Sequence, residues 1–176
     1  PNVGRETHTY LYHIIHQYDD MANTTIFFQG HRDGRPEQRL GAMRMYERNP
    51  QNSVYAAHIR YVTEPPWWRR NRGMASKYTL GQFFRRVLLI REPLHTIRWT
   101  PGAYMSVGRL RIHQHKRKYY ERILFRDTNL SRHVDPEEGH YMERAWLKMF
   151  DRTNRHHQSA FKNRMTLFDV FHFATV

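Results

Sequence analysis

The feature that most constrains this chain is a change of hydrophobic period close to its beginning. Between Arg5 and Tyr18, the residues Leu11, Ile14, Ile15 and Tyr18 stand at the i, i+3, i+4, i+7 spacing that lines one face of a helix. Asn23 interrupts that period. Thr24-Thr25-Ile26-Phe27-Phe28 then forms a β-branched and aromatic run closing at Gly30, the pattern of a buried strand followed by a turn. A helix leading straight into a buried strand predicts an α/β sheet. His31 to Pro36 is polar and contains glycine and proline, so an irregular loop is expected at the strand end, where open α/β sheets hold their ligands.

Further on, Glu37 to Tyr46 suits a short helix and Asn49-Pro50-Gln51-Asn52 a turn. Glu64-Pro65-Pro66-Trp67-Trp68 is excluded from regular helix by its two prolines, and the middle of the chain is expected to be rich in loops. Thr79 to Ile90 is apolar and suits helix or strand, with Phe83, Phe84, Val87 and Leu88 fitting helical spacing better. Trp99-Thr100-Pro101-Gly102 reads as a turn into a strand over Ala103 to Val107. A helix over Lys116 to Leu124, with Tyr119, Tyr120, Ile123 and Leu124 inward, follows it. The polar stretch Asn129 to Gly139 precedes a helix over His140 to Phe150 that turns Tyr141, Ala145, Trp146 and Met149 to the core. The tail after Asp151 is ambiguous: Phe168, Val170, Phe171 and Phe173 can supply a last strand, with imperfect alternation. With 176 residues, 39% hydrophobic and 14% aromatic, the expectation is one domain, 1–176, with a mixed central sheet flanked by helices.

The absence of cysteine excludes disulfides, thiolate metal sites and cysteine nucleophiles. No run approaches the ~20 consecutive apolar residues that span a bilayer, and no apolar signal segment opens the chain. The formal charge of +13 attracts polyanions, nucleotides or anionic surfaces. Its cations are spread along the chain, with modest clusters at Trp67–Arg72 and Arg109–Lys118, and no zinc-finger, RNA-recognition or basic-zipper spacing accompanies them.

Three ordered stretches carry a family resemblance: Asn2-Val3-Gly4-Arg5-Glu6-Thr7-His8-Thr9-Tyr10-Leu11 with Tyr18-Asp19-Asp20 and Ile26-Phe27-Phe28-Gln29-Gly30; Gly102-Ala103-Tyr104-Met105-Ser106-Val107 with Tyr119-Tyr120-Glu121-Arg122-Ile123-Leu124; and Gly139-His140-Tyr141-Met142-Glu143-Arg144-Ala145-Trp146 with Phe150. Together they resemble a family of unknown function known from fungi and microbes, DUF 3431, which in turn resembles the GT-A glycosyltransferases. That resemblance implies a GT-A-like α/β fold, a nucleotide-sugar donor held over strand ends, a glycan or other hydroxyl acceptor, and a divalent Mn²⁺ or Mg²⁺. It also implies a first strand, normally part of the nucleotide pocket, ahead of the point where this sequence opens. In place of the usual Asp-x-Asp metal motif the chain reads Gln29-Gly30-His31-Arg32-Asp33, which leaves His31 and Asp33 as metal ligands.

Gly4-Arg5-Glu6 at a helix start suits a diphosphate, met by backbone N–H groups and a guanidinium, with Asn2 or Glu6 reaching ribose or base. The same three residues also suit a plain helix opening. Gln29, His31 and Asp33 alternate across a strand end and can converge on a ligand or form a polar turn. His13 and His16 have one-turn spacing, but no acidic partner stands nearby, and surface or satisfied positions account for them better than a metal site. Glu143 is the candidate base for an acceptor hydroxyl, with His140 and Arg144 beside it for metal and phosphate, or else one half of an ion pair with Arg144. Asp135, Glu137 and Glu138 complement a helix N-terminus, and Trp67 and Trp68 stack on a sugar or base or pack as an aromatic loop. The leading expectation is a sugar transferase. The alternatives are a noncatalytic basic module for nucleic acid or another polyanion, and a degenerate transferase fold serving as a scaffold.

Overall fold

A computed structural model describes residues 3–29, 53–56, 58–71, 73–91 and 95–151, together with the backbone of 172–175. The first helix, α1, spans Arg5–His16 and buries Tyr10, Leu11, Ile14 and Ile15. It stops short of Tyr18: Gln17, whose N–H still donates to the His13 carbonyl at 2.9 Å, is the C-cap and leaves helical backbone at φ −97°, ψ 9°. Tyr18 instead reaches across the chain, where its hydroxyl donates to the His115 carbonyl at 2.7 Å. Strand β1, Thr24–Phe28, follows as the β-branched run requires, and its first four residues are buried.

Two further strands flank β1. On one side β5, Met105–Gly108, runs antiparallel from Thr24↔Gly108 to Phe27↔Met105. On the other, β6, His172–Thr175, runs parallel from Thr25↔His172 to Phe28↔Thr175. A short β2, Val54–Ala56, adds antiparallel to β5, completing a mixed sheet in the order β2-β5-β1-β6. The strand expected from Ala103 begins at Met105, because Pro101–Ala103 forms a tight 3₁₀ turn in which Gly102 takes φ 75°. A separate antiparallel pair, β3 (Arg60–Val62) with β4 (Ile97–Trp99), lies in the middle region expected to be loop. Three-residue strands are too short for a period of two to show.

Thr79 and Gln82 form a reciprocal capping box that opens α2, Leu80–Gln82. The helix widens at once into a π-helical turn over Phe83–Val87, burying Phe83, Phe84 and Val87. After α3, Arg109–Ile112, the same combination recurs: α4, Arg117–Glu121, runs on as a π-helical turn over Arg122–Arg126, with Tyr120, Ile123 and Leu124 inward. The last helix, α5, covers Glu137–Phe150 and starts three residues ahead of His140. Its Tyr141, Ala145, Trp146 and Met149 are buried as their spacing predicts, and Trp146 lies between Tyr10 of α1, 6.0 Å away between ring centroids, and Phe150 at 5.8 Å. These side chains join those of α1, β1, β5 and both π-helical turns in one apolar cluster. No helix among the described residues is long and apolar enough to cross a membrane. The expected helix over 37–46, the turn over 49–52 and the strand positions Phe168, Val170 and Phe171 lie outside the described residues.

Candidate functional site

Gly4 and Arg5 open α1 with consecutive left-handed backbones, φ 67° and 57°. At Gly4 only glycine fits, since a Cβ there would stand 2.1 Å from the Leu130 carbonyl oxygen. Its N–H donates to the His133 carbonyl at 2.7 Å, so the start of α1 is held to the segment preceding α5. Arg5 carries a side chain in a conformation that bulky residues avoid, a form of strain that concentrates at functional sites. Its aliphatic stem lies over Gly139, where an added Cβ would sit 3.3 Å from Arg5 Cδ, and its guanidinium donates to Asp135 Oδ1 at 3.2 Å and His140 Nε2 at 2.9 Å.

One residue later, Glu6 turns inward and is buried. Burial pushes its carboxyl pKa up; the Arg5 guanidinium, 3.7 Å away at Nε, pulls it down, the Glu143 carboxylate pushes it up again, and the Gln29 side chain donates a hydrogen bond that favours the charged form. Gln29 immediately follows β1, so it stands at that strand's carboxyl end. From α5, Glu143 reaches the turn before β5, where its Oε1 accepts the Gly102 N–H at 2.6 Å. The left-handed Gly102 admits no side chain: a Cβ would lie 2.5 Å from the Tyr104 ring and 3.3 Å from Gln29 Oε1. Beneath this group lies Tyr10, wholly buried, whose hydroxyl has no hydrogen-bond partner among the described residues. Its pKa is raised well above the ordinary value by burial first, then by Glu6, Tyr104 and Glu143, the groups around it.

His140 occupies the next turn of α5 toward its N-terminus. Its pKa is lowered to about 4, chiefly by burial and then by the Arg5 guanidinium, with Asp135 opposing and Arg70 and Arg144 adding to the depression. The ring is therefore neutral at pH 7, and Nε2 accepts from Arg5. Glu137 anchors the neighbouring loop: its carboxylate accepts the N–H groups of Arg70 at 2.6 Å and Ser76 at 2.9 Å and meets the Arg69 guanidinium at 3.3 Å. Those bonds hold its pKa below the usual range against its burial.

Arg144 faces another way. It is 8% exposed, meets Glu64 Oε1 through both Nε and Nη2 at 3.1 Å, and lies 4.2 Å from the Trp68 ring centroid and 4.8 Å from that of Trp99. The arrangement braces α5 against β4 and the Pro65-Pro66-Trp67-Trp68 loop. Trp68 is thus packed, while Trp67 is 73% exposed.

Of the residues singled out from sequence, Gly4, Arg5, Glu6, Gln29, His140 and Glu143 come together from α1, the end of β1 and α5. Arg144 adjoins them, with its Nη1 4.0 Å from Glu143 Oε2, but its closest partner is Glu64. Asn2, His31 and Asp33 lie outside the described residues. Among the described residues no three His, Asp or Glu side chains gather to hold a metal ion, and His140 Nε2 faces a guanidinium, so these donors do not fit Mn²⁺ or Mg²⁺. The rings of His8 and His16 both pack on Tyr12. Tyr10, Gly102 and Tyr104 were not singled out. Tyr10 stands one helical turn after Glu6, a spacing that places both on one face of α1 and was the available signal. Nothing local marks Gly102 as the partner of a residue in a distant helix.

No curated protein and no solved structure matches this chain. The model of one family matches residues 1–164, and the chain accordingly belongs to the family described as "Protein of unknown function (DUF3431)".

Proposed function

We propose that this protein is a glycosyltransferase with a GT-A-like fold, moving a sugar from a nucleotide-sugar donor to the hydroxyl of a glycan or other acceptor. One observation carries the reading: Arg5, Glu6, Gln29 and Glu143, distant in sequence, meet at the carboxyl end of β1, where α/β sheets bind ligands. In this reading Arg5, its side chain 36% exposed, faces the donor diphosphate. Glu143, oriented through the Gly102 N–H, takes the proton of the acceptor hydroxyl as its oxygen bonds to the anomeric carbon. The bond from that carbon to the diphosphate oxygen breaks, and the departing oxygen keeps the electron pair beside the guanidinium. Glu6 and Gln29 orient the sugar. His31 and Asp33 remain the candidates for a divalent cation, and no step is routed through one.

The test is a thermal-shift series with UDP, GDP and their sugars, with and without Mn²⁺, at low and moderate salt. A ligand about a hundredfold above its Kd stabilises the native state by about 2.7 kcal/mol. The expected result is a shift with one nucleotide that survives moderate salt, disappears in Arg5→Ala and persists in Glu143→Gln, with sugar transfer absent in the latter. Stabilisation only by RNA or heparin, abolished by salt, supports the polyanion-binding module instead. Nucleotide binding without transfer to any acceptor supports the scaffold.

A further inference from the structure

The two π-helical turns lie side by side. Arg122 donates to the carbonyls of Arg86, at 3.4 Å, and Val87, while the Tyr119 hydroxyl donates to the Leu88 carbonyl at 3.0 Å. These bonds tie the two segments to each other. Residues 83–91 and 117–127 carry seven cationic side chains against two carboxylates, Glu121 and Asp127; Asp127 pairs with Arg122 and Arg126, and Arg117 pairs with Asp19 outside the two segments, which leaves Arg85, Arg86, Arg91 and Lys118 as the surplus. Arg85 and Arg86 are exposed, as is the Arg126 side chain at 74%. The same two segments expose two large apolar side chains, Leu89 at 58% and Phe125 at 45%.

Leu89 carries the argument further. It ends its helical segment in the left-handed conformation, φ 59°, where glycine or asparagine is the ordinary residue. A leucine there is strained, gains little burial, and projects hydrocarbon from a cationic surface. A partner that suits this surface presents anionic groups and accessible hydrocarbon together. Nucleic acid offers phosphates and flat bases, and bases stack on Phe125 but have nothing to match a branched aliphatic side chain. The headgroup and acyl boundary of an anionic bilayer offers both. We infer that the Arg85–Leu89 and Arg122–Arg126 surface docks the protein on anionic lipid membranes, with Arg85, Arg86 and Arg126 at the headgroups and Leu89 and Phe125 inserted beneath them.

The experiment is co-sedimentation of the full chain with vesicles of phosphatidylcholine alone and of phosphatidylcholine and phosphatidylserine in equal parts. Binding is expected only to the phosphatidylserine vesicles and is expected to fall as salt rises. Because each cation near an anionic surface strengthens binding by about fivefold, Arg85→Glu with Arg86→Glu is expected to weaken it by more than about twentyfold. Leu89→Asn with Phe125→Ser is also expected to weaken binding; asparagine suits the left-handed backbone, so a melting curve close to wild type separates lost insertion from lost folding. Equal sedimentation with both vesicle types, or none with either, overturns the proposal. So does unchanged binding of Leu89→Asn/Phe125→Ser, which reduces the surface to a charge site; heparin competing equally well for both forms is then the expected companion result.

Discussion

Glu143 and Gly102 are tied by a 2.6 Å hydrogen bond from backbone N–H to carboxylate, joining the middle of α5 to the turn that begins β5. Gly102 is left-handed in this turn, and the Tyr104 ring fills the space a side chain would need. Gly102→Ala is therefore expected to destabilise the fold by about 1 to 3 kcal/mol, through strain and the displaced ring. Urea unfolding measures the loss; a variant as stable as wild type would show that the turn accepts another geometry.

Tyr10 presents the opposite case. Its hydroxyl is buried without a hydrogen-bond partner among the described residues, an arrangement that costs about 1 to 3 kcal/mol in desolvation. Tyr10→Phe is expected to leave stability unchanged or raise it by about 1 kcal/mol. A fall in melting temperature would reveal an ordered partner for the hydroxyl, such as a bound water between it and the carboxylates.

Arg144 and Glu64 have side chains only 10% and 11% exposed. Removing one buried partner strands the other charge, so Arg144→Met is expected to cost about 3 to 5 kcal/mol. A double-mutant cycle with Glu64→Gln should return a coupling of at least about 1 kcal/mol. Arg144→Lys is expected not to rescue, since an ammonium cannot place two donors on Glu64 while lying flat between two indoles. Full rescue by lysine would reduce the brace to a point charge.

The pH dependence of stability centres on His140. Its folded pKa, about 4, lies below the ordinary 6.5, so the unfolded chain binds the proton more tightly. The stability this group contributes is complete above pH 6.5 and is lost as pH falls through 6.5 toward 4, on the order of 3 kcal/mol. Glu6 acts in the other sense: its raised pKa favours the fold at low pH, and that contribution fades as pH rises above 4.5. His140→Gln is expected to flatten the acid limb of denaturation midpoints between pH 4 and 6.5. An unchanged slope would place the imidazole in water rather than against Arg5.

Much of the fold was legible because burial repeats with the local period. Leu11, Ile14 and Ile15 on α1, Tyr120, Ile123 and Leu124 after α4, and Tyr141, Ala145, Trp146 and Met149 on α5 occupy the faces their spacing predicts. Helix ends were less so. Tyr18 leaves α1 because a distant carbonyl, that of His115, accepts its hydroxyl, a partner no local pattern shows. The π-helical turns at Phe83–Val87 and Arg122–Arg126 were likewise hidden, since one extra residue in a turn barely disturbs apolar spacing.

At the site the division is sharper. By itself the sequence determined which side chains were chemically suited, because Arg5, Glu6, Gln29, His140 and Glu143 are polar groups at the edges of apolar elements. Only the tertiary structure decided their partners. It turned Arg144 toward Glu64 between two indoles, set His140 against a guanidinium, and brought Tyr10 and Gly102 to Glu6 and Glu143. The physical reason is range: helical and strand periods act over a few residues, whereas hydrogen bonding and desolvation of buried polar groups depend on whatever the folded chain places alongside them.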